Sequence, residues 1–319
     1  MIGRVLCSDE DQYFQICIHE FLKDMAATLG SVDVVRVKSK FTFLRKALRA
    51  MGTLVPFPAL PKMGNGTSNL SVTIGPDFAP IMKYSLRAKH NYMYMFDCWP
   101  QNTDWVIDFT RIFRIDAVFF SAKQAADRFN ERNKRSSCKG LWVPEGIHAD
   151  SYRYYAPEQK EIDVLEFGRR YDDYHNEIVE PLRQAGVTHL YSKGKELLFK
   201  TDDDFIGGLA KSKISLCFPS SLTHPERAGD VSTMTLRYLQ SMVSKCLIVG
   251  KLPYDMQYLF DYNPVVEIDE QNPAGQLLEI LHNFDQYQEL IERNYQRVLS
   301  HHRWAHRIQT MQHSMEQNH

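Results

Sequence analysis

The chain has 319 residues and little that marks export, membrane insertion or nucleic-acid binding. Six cysteines, Cys7, Cys17, Cys98, Cys138, Cys217 and Cys246, are too few for a disulfide framework, and none forms a CxxC pair. Several fall in apolar runs, so they read as reduced, mostly buried thiols of a cytoplasmic protein. No apolar run approaches the roughly 18 residues that a membrane span needs. The N-terminus lacks the basic start and apolar length of a secretory signal, so the glycosylation sequons at Asn65 and Asn69 carry little weight. Formal net charge is −1, without the basic excess typical of nucleic-acid binding. P-loop, GxSxG and HExxH motifs are missing, and so is a Gly-rich dinucleotide fingerprint after Cys7.

What the chain does have is a 44% hydrophobic fraction, enough for real cores, at a length that favours two domains. Residues 2–7, 14–29 and 32–37 read as strand, helix, strand. Further strands are expected at 70–74, 92–96, 117–120 and 141–144. The rhythm restarts with strands at 162–167, 188–191, 214–218, 246–249 and 265–268. Helical patterns lie between them at 174–185, 202–210 and 236–243, and three more follow at 275–284, 286–299 and 302–313. Strands about 20 to 30 residues apart with intervening helices indicate parallel sheets, hence an α/β protein of two Rossmann-like domains. Polar stretches at 132–139 and 151–161 place the seam near 150–160.

Residues 218–250 organise the second half. They read as the end of a strand, a polar loop, a helix carrying Leu236, Leu239, Met242 and Val243 on one face, and another strand. Such a loop lies at the carboxyl end of a parallel strand, where open α/β sheets bind ligands. Ser232, Thr233 and Thr235 crowd the helix start, where backbone N–H groups suit a phosphate. Ordinary N-capping explains the same residues. Residues 38–50 interleave Lys38, Lys40, Arg45, Lys46 and Arg49 with Phe41, Phe43, Leu44 and Leu48. This is either a peripheral contact with an anionic membrane or a solvated helix packing its apolar stripe. His302 and His306 have helical i,i+4 spacing, but two histidines complete no zinc shell.

Four stretches carry a family likeness: LWVPEGIH at 141–148, VLEFGRR at 164–170, TLRYLQSM at 235–242 followed by CLIVG at 246–250, and HRWAHR at 302–307. Together they resemble the group 1, family 4-like retaining glycosyltransferases, nearest the spore-coat maturation-type branch. The likeness covers roughly residues 140–307. It implies the GT-B fold, with two Rossmann-like domains facing across a cleft: an acceptor-side domain over 1–155 and a nucleotide-sugar donor domain over 156–300. Residues 301–319 would then cross back to brace the first domain. The implied reaction moves a sugar from a nucleotide-diphosphate donor to a glycan, lipid-linked or small-molecule acceptor, with no cofactor and no metal.

Within that resemblance, the donor diphosphate falls to Gly168, Arg169 and Arg170 and to the loop lysines Lys193 and Lys195. Asp230, Ser232, Thr233, Met234 and Thr235 join them at the helix start. Glu226 would hold sugar hydroxyls, and Asp97, at a strand end beside Trp99, would orient the acceptor. The family's Glu-x7-Glu signature is not met. Gln240 stands where its second carboxylate belongs, and Glu226 fits only with a longer loop. A degenerate sugar- or nucleotide-binding scaffold is therefore an alternative, and a nucleotide-sugar epimerase a further one.

Overall fold

The computed structural model describes residues 2–8, 16–30, 32–37, 66–75, 78–134, 136–194 and 196–317. The basic stretch at 38–50 and Lys195 lie outside these residues.

The strand Asn91–Phe96 shows how sequence sets the layers of the first unit. Tyr92, Tyr94 and Phe96 enter one apolar cluster, and Met93 and Met95 enter another. Successive side chains of a strand point to opposite faces, so a strand apolar at every position must be covered on both. Six parallel strands form this sheet: β1 (Arg4–Ser8), β2 (Asp33–Val37), β3 (Asn69–Ile74), β4 (Asn91–Phe96), β5 (Ala117–Phe120) and β6 (Lys139–Trp142), in the order β2-β1-β3-β4-β5-β6. The terminal helix Trp304–Gln317 belongs to this unit. Its Trp304 is fully buried edge-on to Phe21, Tyr94 and Phe96, with ring centroids 5.0–6.0 Å away. Arg307 donates to the Glu145 carbonyl at 3.3 Å, and burial lowers its pKa to about 10.

The second unit holds a five-stranded parallel sheet: β7 (Ile162–Leu165), β8 (His189–Leu190), β9 (Ser212–Cys217), β10 (Leu247–Gly250) and β11 (Val266–Glu267), in the order β11-β10-β9-β7-β8. From β7 the chain goes to β8 on one side and then returns to β9 on the other. The sheet order therefore reverses between β7 and β9, which opens a crevice beyond their carboxyl ends.

The chain divides as residues 1–145, 228–231 and 304–319 in the first unit, and 146–227 with 232–303 in the second. The seam thus falls at Glu145, about ten residues before the expected 155. Ile147 explains the shift: its N–H donates to the His302 carbonyl at 3.1 Å, and it bridges to Arg303. Asp150 pairs with Arg303 at 3.2 Å, so residues 147–150 are tied to the end of the helix Gln288–His301. That helix stops before the next begins at Trp304. His302 and His306 consequently do not share a helical face, and the i,i+4 pair expected from the sequence does not exist. All six cysteines are free thiols, and only Cys17 is less than buried. No helix among the described residues is long and apolar enough to cross a membrane.

Candidate functional site

A cavity of about 360 Å³ opens at the carboxyl ends of β7, β8 and β9. Its wall includes the turn after β7, from Glu166 to Asp172, with Tyr191, Ser192 and Gly194 after β8 and Thr223 and His224 after β9. Gly168 has φ +70, a left-handed conformation that glycine adopts without a Cβ penalty. A Cβ there would stand 3.0 Å from Arg237 Cδ. This turn sends Arg169 and Arg170 apart. Arg169 crosses the gap between β7 and β9, its guanidinium donating to Ser220 Oγ at 2.6 Å. Arg170 donates to Asp172 at 2.7 Å and to the Ser192 carbonyl at 3.4 Å, toward β8.

Two buried polar atoms at this cavity have no protein partner, Thr223 Oγ1 and His224 Nδ1. A buried donor or acceptor left unpaired costs about 1–3 kcal/mol, so these atoms suit a ligand or ordered water. Arg237 is the organiser behind the wall. Its guanidinium donates to the carbonyls of Phe167 at 3.3 Å, Arg169 at 2.7 Å and Phe218 at 3.1 Å. One side chain thereby ties the turn after β7 to the end of β9.

Other expected site residues sit elsewhere or are already engaged. The Met234 N–H donates to Asp255 Oδ1 at 2.7 Å, and Thr233 Oγ1 donates to Asp255 Oδ2 at 2.6 Å. Asp255 is buried and supplies the negative charge that the helix start attracts, so Thr233 and Met234 do not offer those donors to a phosphate. Thr235 is the N-cap residue of the helix Leu236–Val243, and its Oγ1 is buried without a partner. Ser232 Oγ accepts from the Tyr254 N–H at 3.1 Å. Gln240 is buried, and its amide donates to Tyr152 Oη at 2.8 Å rather than reaching the cavity wall. Asp230 lies in the first unit, ion-paired with Arg128 at 2.7 Å, with its carbonyl accepting from Gln124. Lys193 and Glu226 are exposed and form no part of the cavity wall.

Asp97 directly follows β4 in the first unit and has φ +53. A non-glycine residue there is uncommon, though Asp tolerates it better than most. Burial pushes the neighbouring Cys98 thiol up to about 12, with Arg128 opposing and Asp97 adding to the rise.

The residues that sequence reasoning passed over were within stretches already singled out. Glu166 stands inside VLEFGRR, and Thr223 and His224 stand in the loop before the helix. Arg237 carried a readable signal. It is the only charged residue of its helix and lies in the first turn, where the dipole disfavours a cation. Only acceptors from outside the helix could hold it there.

Residues 156–313 match a family model described as glycosyl transferase-like. Solved structures cover nearly the whole chain. HepE from Anabaena, determined with UDP and glucose, is 8% identical, with 99% of this chain and 100% of that one covered at a TM-score of 0.62. Sucrose-phosphate synthase from Thermosynechococcus elongatus is 11% identical, with 99% of each chain covered at 0.59. A glycosyltransferase from Rickettsia africae is 9% identical, with 99% and 98% covered at 0.59. The chain has the GT-B fold, and its second unit is similar to the glycosyl transferase-like family. Its two parallel Rossmann-like sheets are those of that fold, and the family match covers nearly all of the second unit together with part of the terminal helix. No curated protein sequence matches the chain significantly. None of these matches distinguishes a spore-coat branch.

Proposed function

We propose that this GT-B protein transfers a sugar from a nucleotide-diphosphate donor to an acceptor hydroxyl, with retention at the anomeric carbon. The observation that carries the reading is the guanidinium of Arg169 across the β7–β9 crevice, with Arg170 and the unpartnered Thr223 Oγ1 and His224 Nδ1 elsewhere in the same wall. Guanidinium groups bind phosphate oxygens with strong charge-assisted bonds. Held at the scissile end, they stabilise the diphosphate as negative charge develops on it. As the sugar–phosphate bond breaks, the acceptor oxygen attacks the same face. Its proton passes to the departing phosphate oxygen, so the step needs neither a protein base nor a metal. Asp97 is the acceptor-side carboxylate in this reading, and its strained backbone supports that choice. Glu226 remains the candidate for sugar hydroxyls. The acceptor is a glycan, a lipid-linked sugar or a small molecule.

Uridine diphosphate sugars are the first donors to test, because HepE was determined with UDP-glucose. Melting curves across uridine, guanosine, adenosine and thymidine diphosphates should rise for the cognate base, since a ligand of the native state alone stabilises it. Arg169→Ala should abolish that rise and cut turnover about a hundredfold or more, the scale of losing one oxyanion donor. A variant with full turnover removes Arg169 from the mechanism.

One observation favours a binding protein without turnover: Gln240, at the family's second-carboxylate position, is committed to Tyr152. Donor binding without transfer or hydrolysis would support that second reading.

A further inference from the structure

Glu166, His175 and His189 come from three elements, the end of β7, the helix Asp172–Gln184 and β8, and meet at one point. Glu166 Oε1 lies 2.8 Å from His175 Nδ1 and 2.8 Å from His189 Nε2. Their side chains are only 7%, 8% and 4% exposed, respectively. The Tyr191 ring covers both imidazoles, with its centroid 4.7 Å from each. Among the described residues, no lysine or arginine pairs with the Glu166 carboxylate.

We propose that Glu166, His175 and His189 form a divalent-cation site for Zn²⁺. Two imidazoles and a carboxylate are the His₂Glu donor set of open zinc sites, where a water completes the tetrahedron. Imidazole nitrogen selects zinc over magnesium or calcium, which prefer oxygen. The three ligand atoms all lie within 4.8 Å of one another. Zinc bonds of about 2.0–2.1 Å at tetrahedral angles set ligands about 3.3 Å apart. The two close contacts therefore open by about half an ångström, within reach of side-chain rotation.

The competing account is a hydrogen-bonded trio in which both ring N–H groups donate to Glu166. His189 Nδ1 bears on affinity: it is buried with no partner, so it lacks the outer acceptor that a zinc-bound imidazole normally has. A missing outer partner weakens a site roughly ten- to a hundredfold, so binding should be weaker than at a fully supported site.

The cation's effect falls on the cavity. Glu166 is part of its wall, which also carries Asp172. Zinc would add two positive charges at Glu166, beside Arg169 and Arg170. This consequence for diphosphate binding rests on the proposed donor site; the metal site does not.

The test uses the full chain, tag-free and dialysed against chelator, titrated with Zn²⁺ alone in competition with a chromophoric chelator. One equivalent should bind, and Co²⁺ should give the intense visible bands of a tetrahedral site. His175→Gln and His189→Gln should each weaken Zn²⁺ roughly a hundredfold or more, beyond an outer-shell loss, whereas His306→Gln should not. If a histidine variant fails to fold, the Co²⁺ spectrum of the unaltered chain still decides. Absence of stoichiometric binding, an octahedral spectrum, or affinity untouched by both histidine variants overturns the site. Diphosphate binding by the metal-free chain is read separately, so loss of one conclusion is distinguishable from loss of the other.

Discussion

Replacing Arg237 tests how the crevice is held together. In Arg237→Met the apolar stem is kept and the guanidinium is lost, leaving the carbonyls of Phe167, Arg169 and Phe218 without it. Bonds from a charged donor contribute about 1.5–3 kcal/mol each. All three residues whose carbonyls it holds also line the cavity, so water can replace part of the loss. A net cost of about 2–3 kcal/mol remains after that discount. For a unit of about 150 residues this lowers the melting temperature by roughly 4–12 °C. Arg237→Lys keeps the charge but loses the planar fork whose two ends serve different segments, Nη1 the Phe167 and Arg169 carbonyls and Nη2 the Phe218 carbonyl, so it should resemble Met rather than the parent. Differential scanning calorimetry reads the stability, and titration with a nucleoside diphosphate reads the crevice. Diphosphate affinity should fall in both variants because the Arg169 turn loosens. If both melt like the parent and bind equally well, the bridge holds nothing and the account of the crevice fails.

Two other substitutions probe separate parts of the second unit. Gly168→Ala places a Cβ at a left-handed position, costing about 1–2 kcal/mol, and crowds Arg237 from 3.0 Å. Urea unfolding should show that loss together with weaker diphosphate binding, and unchanged unfolding would contradict the turn geometry. Lys160 is buried, with its ammonium donating to the carbonyls of Ala210, Ser212 and Ser244 at 2.8–3.2 Å. Burial lowers its pKa below the ordinary 10.5. Between the folded value and 10.5 the unfolded chain binds more protons at this site, so its contribution to stability rises with pH through that window. Lys160→Met should flatten that part of the pH–stability curve, and an identical slope in the variant would show burial is not its cause.

Much of the architecture was legible because parallel strands buried on both faces read as short apolar runs. β4, β5, β9 and β10 stood out for that reason, and the helix Leu236–Val243 through its 3.6-residue stripe. The Gly168–Arg169 turn was legible as well, since a glycine at a strand end announces a special backbone. The partners of polar groups were not. Asp255 takes the donors of Thr233 and Met234 from 21 and 22 residues away, across β10. Tyr152 claims Gln240 from 88 residues away. Glu166, His175 and His189 lie at spacings that match no local motif, and only the β7–β8 pairing and the helix between them bring them together. The seam moved for a similar reason: backbone pairing of Ile147 with the chain around residue 302 outweighed the polar composition of 151–161.

Ala228 and Val231 are buried in the same apolar cluster as Phe109, Phe120 and Trp99, although the chain on either side of 228–231 belongs to the other unit. Trp304 enters the first unit's second cluster from the far end of the sequence. Neither lobe is thus a continuous length of polypeptide. A single cut at 145 would deprive the leading fragment of its strap and its closing tryptophan helix, and leave the trailing fragment with both of them exposed to water. Splitting this chain into independently expressed halves therefore requires a circular permutation or a grafted linker, not a truncation.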